Sequence, residues 1–541
     1  MKAICCVRKG IRLAMCGALA LALLVSVLGG APLGAAQPEQ VIRYNLTTEP
    51  KTLDPTINGD LIAGYIINHC FEGLLRDRNG KLVPGIAESW DVSKDGKTYT
   101  FHLRDSKWSD GKPLTAKDFE YAWKRVLDPA VASAYASVSY FIKNGEARYN
   151  GEAKPEDIGV TAKDDRTLVV ELENPTPFFL QLVAFMAYMP VRSDIVEKAP
   201  EKWALSAATY VGNGPYVMKE YGAAGLVMEK NPNYWDVASV KLPRIESSFI
   251  NEASTELAAF ENGDLNILEN FPTAEMPRMS KTKGFVAYPQ ITTYFYTVNT
   301  ERKPLNDVRV RKALALAVDR KALVEKVLQG VDIPAINVVA QGLLDSAGKD
   351  FSKTAGNFGM DPAGNARPDE ARKLLAEAGY PDGKGFPELT LLYNTSESHK
   401  QQAEAVQEMW RRELGISVKL MNQEWQVFLE SRGSGNYDLA RGHWWGDYAD
   451  PMTFLDLFTS KASSNWPRWK NAEYDKLIEQ SMLLSGKERD DAMYKANAVF
   501  MNDMPIVPLF YPTDDFVIPE NMKGVERTLW SVFYFGNTTI E

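Results

Sequence analysis

Residues 389–420, LTLLYNTSESHKQQAEAVQEMWRRELGISVKL, change their apolar spacing twice, and this change decides the fold class. The segment 388–393 has the apolar run of a buried strand, and 416–420 alternates apolar and polar residues as a strand does. Between them, apolar residues recur at helical spacing: Ala403, Val406, Trp410 and Leu414. This order predicts a βαβ unit, in which ligands bind in loops beyond the carboxyl ends of the strands. His399 falls in that loop or in the first helical turn.

Strand and helix signals continue to alternate on both sides of this unit. Residues 97–103 alternate like a strand after a turn, and 115–118 have the pattern of a capping box that opens a helix. Asn306 and Asp307 precede a further segment of helical periodicity. After the N-terminal segment, no repeat or linker rich in proline and glycine divides the chain. The pattern predicts a mixed α/β (α+β) protein.

The N-terminal segment has the features of a secretory signal. Four basic residues and no acid precede an apolar stretch over 13–30, and small residues follow at 34–36. We expect cleavage after Ala36. The alternative is an uncleaved membrane anchor, because the apolar stretch is nearly long enough to span a bilayer. The polar residues 37–40 favour cleavage, which leaves 505 of the 541 residues, enough for two or three domains.

The charge and cysteine content of the mature chain exclude several classes of partner and chemistry. Loss of the four basic residues takes the formal net charge from −9 to −13, which argues against nucleic acid or an anionic membrane surface as a partner. Three of the four cysteines leave with the signal, so Cys70 has no partner for an internal disulfide. Its apolar surroundings predict a buried, inert thiol.

Enzyme signatures are absent from the sequence. No zinc-binding His-Glu-x-x-His, nucleophile elbow, phosphate loop or dinucleotide fingerprint occurs. The mature chain supplies one cysteine and few histidines for metal or nucleophilic chemistry, so we expect no cofactor, no metal site and no catalytic residues. A glycosidase has no reliable motif, so a periplasmic hydrolase stays open as an alternative. The histidines are His69, His102, His399 and His443.

Four segments together resemble the peptide-binding branch of periplasmic solute-binding proteins, and the similarity covers nearly all of the mature chain. The second and third are 306–313 (NDVRVRKA) and 371–380 (ARKLLAEAGY), and the fourth is 391–455. The first is made of 85–90 (GIAESW), 95–101 (DGKTYTF), 103–104 and 108–119 (WSDGKPLTAKDF). The first and second mark the broad family. The fourth is more specific, since 392–396, 422–425, 440–441, Trp444 and 447–448 resemble oligopeptide-binding proteins of enterobacteria.

This resemblance implies a set of peptide-binding residues. Asp447 matches the residue that pairs with the α-ammonium group of the peptide. Three further residues match those that serve the carboxylate of peptides of different lengths: His399, Arg432 and Arg441. Trp425 and Trp444 match residues that border side-chain pockets, and Tyr135 matches a tyrosine that lies against the ligand from the other lobe.

The chain departs from the family pattern at three places. Thr292 and Trp445 occupy the positions of a cysteine pair beside the cleft. Gly433 stands where the family has a histidine, and a family glutamate in the first βα loop has no match except the neighbouring Asp60. These changes affect the expected pocket shapes and the preferred peptide length, which the sequence leaves open.

The resemblance implies a fold of two α/β lobes that close about a hinged cleft, one of them enlarged by an extra domain. After a signal peptide over 1–36, lobe I comprises 37–71, 195–291 and 512–541, the extra domain 72–194, and lobe II 292–511. We expect a monomeric periplasmic receptor that delivers oligopeptides to an ABC permease and its ATPases, without stable membrane insertion. The alternatives are a dipeptide or murein-peptide receptor, a hydrolase and a peptide-binding chaperone.

Overall fold

The computed structural model describes residues 39–541, so the predicted signal segment and its cleavage site lie outside the described residues. From Gln40 to Glu541 the chain forms one compact unit. Strands and helices alternate along it, which confirms the mixed α/β prediction. In this part of the chain, no helix combines the length and apolarity needed to cross a membrane.

The strands of the described chain are mostly short. They are β1 (Val41–Asn45), β2 (Leu75–Arg78), β3 (Lys81–Pro84), β4 (Ala87–Val92), β5 (Thr98–Leu103), β6 (Val160–Asp164), β7 (Thr167–Glu171), β8 (Tyr216–Gly222), β9 (Gly225–Lys230), β10 (Arg244–Ser248), β11 (Phe285–Pro289), β12 (Thr292–Val298), β13 (Ile333–Pro334), β14 (Leu389–Asn394), β15 (Val418–Gln423), β16 (Leu439–Trp445), β17 (Ile506–Tyr511), β18 (Thr513–Val517), β19 (Met522–Lys523), β20 (Glu526–Arg527), β21 (Phe533–Tyr534) and β22 (Thr539–Ile540).

The helices range from single turns to five turns. They are α1 (Leu61–Cys70), α2 (Ala116–Val126), α3 (Gly145–Tyr149), α4 (Phe179–Val183), α5 (Ser193–Val196), α6 (Ala253–Glu261), α7 (Met276–Met279), α8 (Val308–Leu316), α9 (Arg320–Ala322), α10 (Phe351–Thr354), α11 (Pro368–Glu377), α12 (Glu397–Leu414), α13 (Trp425–Ser434), α14 (Met452–Leu455), α15 (Ala472–Ser481) and α16 (Gly486–Asp503).

The predicted βαβ unit is confirmed. It consists of β14, α12 and β15, with the two strands parallel and Leu391 opposite Leu420. Ser396 caps α12 by accepting from the backbone N–H of His399, which therefore lies in the first turn. The four apolar residues predicted for the inner face of the helix are all buried, and burial of a large side chain such as Val406 or Leu414 stabilises the fold by about 1.5–3 kcal/mol. The indole N–H of Trp410 donates to the backbone oxygen of Leu314 at 2.9 Å.

This unit belongs to a six-stranded sheet of order β13-β17-β12-β16-β14-β15. Two four-stranded sheets lie elsewhere in the chain, of order β1-β10-β9-β8 and β4-β5-β7-β6. The predicted strand at 97–103 is β5, and the predicted capping box opens α2 through Thr115 and Asp118. Asp307 caps α8, as the sequence predicts.

The chain crosses from the six-stranded sheet to the pair β11-β18 at two adjacent points. Residues 290–291 join β11 to β12, and Pro512 joins β17 to β18. The backbone N–H of Gln290 donates to the oxygen of Pro512 at 2.9 Å, so the two crossings lie side by side. Two short extended connections of this kind can act as a hinge, because a few backbone torsions can absorb a large rotation.

Three aspartates surround the second crossing. Asp332 accepts from the backbone N–H of Thr513 at 3.0 Å, and the Thr513 hydroxyl donates to Asp515 at 2.9 Å. Burial, with the charge of Asp514 added, raises the pKa of both Asp332 and Asp515 to about 6. Only Asp514 has a cationic partner, Arg527 at 2.6 Å. The crossing therefore holds carboxylates that the folded state favours in the protonated form.

We expect Asp332→Asn to stabilise the protein in a pH-dependent way. Because folding raises the pKa of the Asp332 carboxyl, this group contributes fully to the stability of the folded protein below its unfolded pKa near 4. This contribution is lost as the pH rises through about 6. Removing the charge should therefore raise the free energy of unfolding by about 1–3 kcal/mol at pH 8 and by much less at pH 4. Urea unfolding at both pH values measures this, with the exposed Asp165→Asn as control. An equal change at both pH values would contradict the prediction.

Candidate functional site

Arg441 is a buried cation with neutral partners. It lies on β16, is 6% exposed, and its guanidinium donates from Nε to the hydroxyl of Tyr294 and from Nη1 to Asn394 Oδ1 at 3.2 Å. The guanidinium carbon lies 4.8 Å from the centroid of the Tyr294 ring. None of these groups carries a negative charge. In the described chain Arg441 forms no ion pair, although burying an unpaired charge is costly.

Arg432 is a second buried cation without a carboxylate. It lies in the last turn of α13, is 8% exposed, and its guanidinium stacks over Trp466 at 3.8 Å and near Phe428 at 5.2 Å. Burial first, and then the charge of Arg441, lowers its pKa to about 10. Its Nη1 is buried with no hydrogen-bond partner. The guanidinium thus stays charged while part of its donor capacity is unused.

Two histidines complete this cluster, which we call the cationic pocket: Arg432, Arg441, His399 and His443. His399 Nδ1 donates to the backbone oxygen of Asn394 at 3.2 Å, and burial followed by Arg441 lowers its pKa. Burial, Arg441, Arg432 and His399, in that order, lower the pKa of His443 to about 4. The sequence assigns no site role to His443. The sequence could have indicated a role for His443, because it lies two residues after Arg441 and such residues share one face of a strand.

Asp447 has the opposite character. It follows β16, its side chain faces solvent, and its carboxylate has no hydrogen bond or ion pair among the described residues. Its backbone N–H donates to Thr453 Oγ1 at 2.9 Å, which fixes the loop. Surrounding protein hinders hydration of the carboxylate and raises its pKa. After burial, the charges of Asp447 and Asp60 raise the pKa of Tyr135, so the three groups lie within electrostatic reach of one another.

The structure also locates the remaining predicted residues. Trp425 is 40% exposed and stacks on Phe428, at 5.9 Å between ring centroids, while Trp444 packs against Trp466 at 6.2 Å. Both tryptophans thus pack against the aromatic rings that hold Arg432. The indole nitrogen of Trp444 is buried without a partner. These side chains form an aromatic border on one side of the cationic pocket.

The family departures have clear positions. Thr292 and Trp445 lie directly opposite each other on β12 and β16. Asp60 caps α1 by accepting from the backbone N–H of Ala63 at 2.7 Å, so one oxygen is committed to the helix. Cys70 is buried, as the sequence predicts, and free, and burial raises the pKa of its thiol.

Arg441 lies at the start of the unpaired stretch of β16, and Asp447 lies two residues beyond the end of this strand. β16 pairs along its whole length with β12, but it pairs with β14 only at Leu439 and Ala440. Residues 441–445 therefore present one edge without a strand partner in the described chain. At about 3.3 Å per residue, the path from Arg441 to Asp447 is at most about 20 Å. A backbone edge with a cation at one end and an anion at the other can bind an extended zwitterion.

Comparison with known proteins defines the class. The family model described as "Bacterial extracellular solute-binding proteins, family 5 Middle" matches residues 81–466. The oligopeptide-binding protein OppA of Bacillus subtilis is 40% identical over 506 residues, which are 92% of each chain. The periplasmic murein peptide-binding protein MppA of Escherichia coli is 36% identical over 533 residues, 96% of each chain. The chain belongs to family 5 of the bacterial extracellular solute-binding proteins.

Solved structures show the same fold and report on its arrangement. The unliganded open form of the periplasmic murein tripeptide-binding protein MppA superposes with a TM-score of 0.85 at 35% identity, over 93% of this chain and 98% of that one. Another structure, of Escherichia coli MppA, gives a TM-score of 0.67 at the same identity, over 93% and 99% of the chains. The structure described here resembles the open form.

Proposed function

We propose that this protein captures oligopeptides in the cleft between its lobes and delivers them to an ABC importer. The observation that carries the proposal is the pairing of an anion-deficient cationic pocket with a partner-free Asp447 at opposite ends of an unpaired strand edge. In the part of the chain that the structure describes, the partners of Arg441 are neutral, and neither Arg432 nor Asp447 forms an ion pair. A ligand that carries both a carboxylate and an ammonium group can pair with the cationic pocket and with Asp447 at the same time.

A free peptide has this chemistry whatever its sequence. It carries an ammonium group, a carboxylate and a backbone that pairs with a strand edge, so a receptor can hold these groups without reading side chains. In the proposal Asp447 binds the ammonium, and Arg441, Arg432 or His399 binds the carboxylate, depending on peptide length. Trp425 and Trp444 border side-chain pockets, and Tyr135 covers the ammonium end. Such pairs fix orientation more than they add net affinity, because both charges lose water.

The relatives support the peptide class. They are named as oligopeptide-, dipeptide- and murein peptide-binding proteins, and one solved relative is OppA of Haemophilus influenzae in complex with the peptide RPPGFSPFR. That structure has a TM-score of 0.65 at 32% identity, over 93% of this chain and 99% of that one. The same names keep a dipeptide or murein-peptide ligand open as the alternative within the family.

The proposed domain map has support from the sheets. Every strand of the six-stranded sheet lies within 292–511, and every strand of the sheet β4-β5-β7-β6 lies within 72–194. The sheet β1-β10-β9-β8 and the pair β11-β18 use only strands from 37–71, 195–291 and 512–541. Tyr135 would then reach Asp447 from the extra domain, across the cleft.

The peptide class is tested on the purified protein. Native mass spectrometry of ligand co-purified from the periplasm should detect peptides with free termini, and a thermal-shift series from di- to hexapeptides should show which lengths stabilise the protein. Stabilisation by dipeptides alone would favour the narrower receptor. Turnover of peptides or glycosides would support a hydrolase, and binding of unfolded chains without free termini would support a chaperone.

We further propose a monomeric, periplasmic mature protein that docks on a permease with its ATPases. The prediction is that the mature chain begins at Gln37 and stays in solution without detergent. Edman or intact-mass analysis of secreted protein measures this. Recovery of residues 1–10 in the purified chain, or recovery from membranes alone, would instead support the anchor.

A further inference from the structure

The cationic pocket holds more positive charge than one carboxylate can balance. Arg432 and Arg441 are both more than nine-tenths buried, and neither forms an ion pair in the described part of the chain. Their partners are a phenol, an amide oxygen and aromatic rings. If a peptide carboxylate neutralises one guanidinium in a closed cleft, the other stays buried and uncompensated. The charge count therefore calls for a second anion.

His443 is placed to take part in binding that anion. It lies two residues from Arg441 on β16, half-buried, with its ring stacked at 22° to the Tyr294 ring and 6.1 Å between centroids. Its Nδ1 is buried with no hydrogen-bond partner. The charged or titratable groups that face it are Arg441 on its own strand, Tyr294 on β12, Arg432 on α13 and His399 on α12. None of these is an acid.

We propose that the cationic pocket accepts two carboxylates, and that the preferred ligands are peptides with aspartate or glutamate at the C-terminus, whose second carboxylate binds His443 as imidazolium. The inference rests on the proposed function and specifies the ligand class. The α-carboxylate and the side-chain carboxylate of such a residue are close enough to share one pocket. The two carboxylates offset the two guanidinium groups, so protonation of His443 leaves one net positive charge in the pocket, on the half-buried imidazole ring.

The proposal couples binding to uptake of a proton from solvent. In the unliganded protein His443 is neutral at pH 7, because burial, the charges of Arg441 and Arg432, and the neighbouring His399 lower its pKa to about 4. A carboxylate beside the ring favours the charged form and raises that pKa. Binding of an acidic C-terminal residue should therefore strengthen as the pH falls from 8 to 6. A glutamate side chain stays ionised over this range.

The test compares Ala-Ala-Ala-Glu with Ala-Ala-Ala-Gln by calorimetry at pH 6 and pH 8, in two buffers of different ionisation enthalpy. At pH 6 we expect the glutamate peptide to bind at least about tenfold more tightly than the glutamine peptide. At pH 8 this ratio of affinities should be smaller. Proton uptake should accompany the glutamate peptide alone. In the His443→Gln variant the ratio of the two affinities should no longer depend on pH, and proton uptake on binding of the glutamate peptide should vanish. An ordinary lysine side chain is still protonated at pH 8, so the His443→Lys variant should keep the preference for the glutamate peptide at that pH.

The matched control is His102→Gln, a histidine on β5 that contacts Asp91 at 2.9 Å and should leave both ratios unchanged. Equal binding of the two peptides at pH 6 would overturn the two-carboxylate pocket, while the proposed function stands because both still bind. Binding of neither peptide, nor of other lengths, would count against the function itself. A ratio that still depends on pH in His443→Gln would assign the proton to His399, and the role of His443 would be wrong.

Discussion

Replacement of Asp447 by asparagine is expected to weaken peptide binding by roughly 2–5 kcal/mol, or about 30- to several-thousand-fold. The amide is nearly isosteric and keeps the hydrogen bond from the Asp447 backbone to Thr453, so the loop should hold its shape. What is lost is the negative charge that, in the proposal, pairs with the peptide ammonium. When the cleft closes, that ammonium becomes desolvated and unpaired, which is the source of the large cost.

A double cycle separates this role from a structural one. Acetylation of the peptide N-terminus removes the ligand charge and should cost the unmodified protein a comparable amount. Because both changes delete the same ion pair, their effects should not add. Calorimetry of Asp447→Asn and of Asp165→Asn, with free and acetylated peptide, makes the measurement. Simple additivity would mean that Asp447 acts by holding the loop, and unchanged binding of acetylated peptide would remove the anchor altogether.

The pH dependence of this anchor has a defined sign. In the unliganded protein the surrounding residues hinder hydration of the exposed Asp447 carboxylate and raise its pKa, and an ammonium beside it favours the ionised form and lowers that pKa. Binding should therefore release a proton where the free carboxyl is still protonated, and affinity should fall as the pH drops below its free pKa. This trend opposes the one expected for His443. The two are separable because Asp447 acts on every peptide and His443 only on acidic ones.

Local patterns in the sequence predicted the elements that carry the site. The spacing in 389–420 predicts β14, α12 and β15, because a periodicity of two or 3.6 residues is a property of the segment itself. The caps at Thr115 and Asp307 are equally local. His399 follows from the same unit, since its position is set by the start of α12.

Contacts across long stretches of chain were not predictable in this way. Arg441 meets Tyr294 because β12 lies next to β16, a neighbour relation that depends on the order of the whole six-stranded sheet. Tyr135 approaches Asp447 from a different part of the fold. The membership of His443 in the cationic pocket needs both the register of β16 and the packing of α13. Periodicity specifies which face a residue occupies, and tertiary packing specifies what that face meets.

Replacement of Arg441 by alanine should weaken binding by about 2–5 kcal/mol for the peptide length whose carboxylate reaches it, and by less for other lengths. Its guanidinium has only neutral partners, so the unliganded fold does not depend on an ion pair there. A carboxylate left without its cation in a closed cleft bears the full cost of desolvation. Longer or shorter peptides would place the carboxylate nearer to Arg432 or His399 and retain a partner.

Calorimetry on tri-, tetra- and pentapeptides measures this length dependence in Arg441→Ala and Arg432→Ala, with the exposed Arg278→Ala as control. Arg441→Gln keeps a donor for Tyr294, so it distinguishes loss of charge from loss of packing. If Arg441 is a ligand anchor, the glutamine variant should bind as weakly as the alanine variant and should unfold at or above the wild-type temperature, because an uncompensated buried charge has been removed. An equal loss at every length, with a lowered unfolding temperature in the alanine variant alone, would make Arg441 a structural residue. We expect the outcome of a ligand anchor, because the buried Arg441 guanidinium has no anionic partner in the empty protein. This uncompensated charge destabilises the empty protein, and the peptide carboxylate supplies its partner.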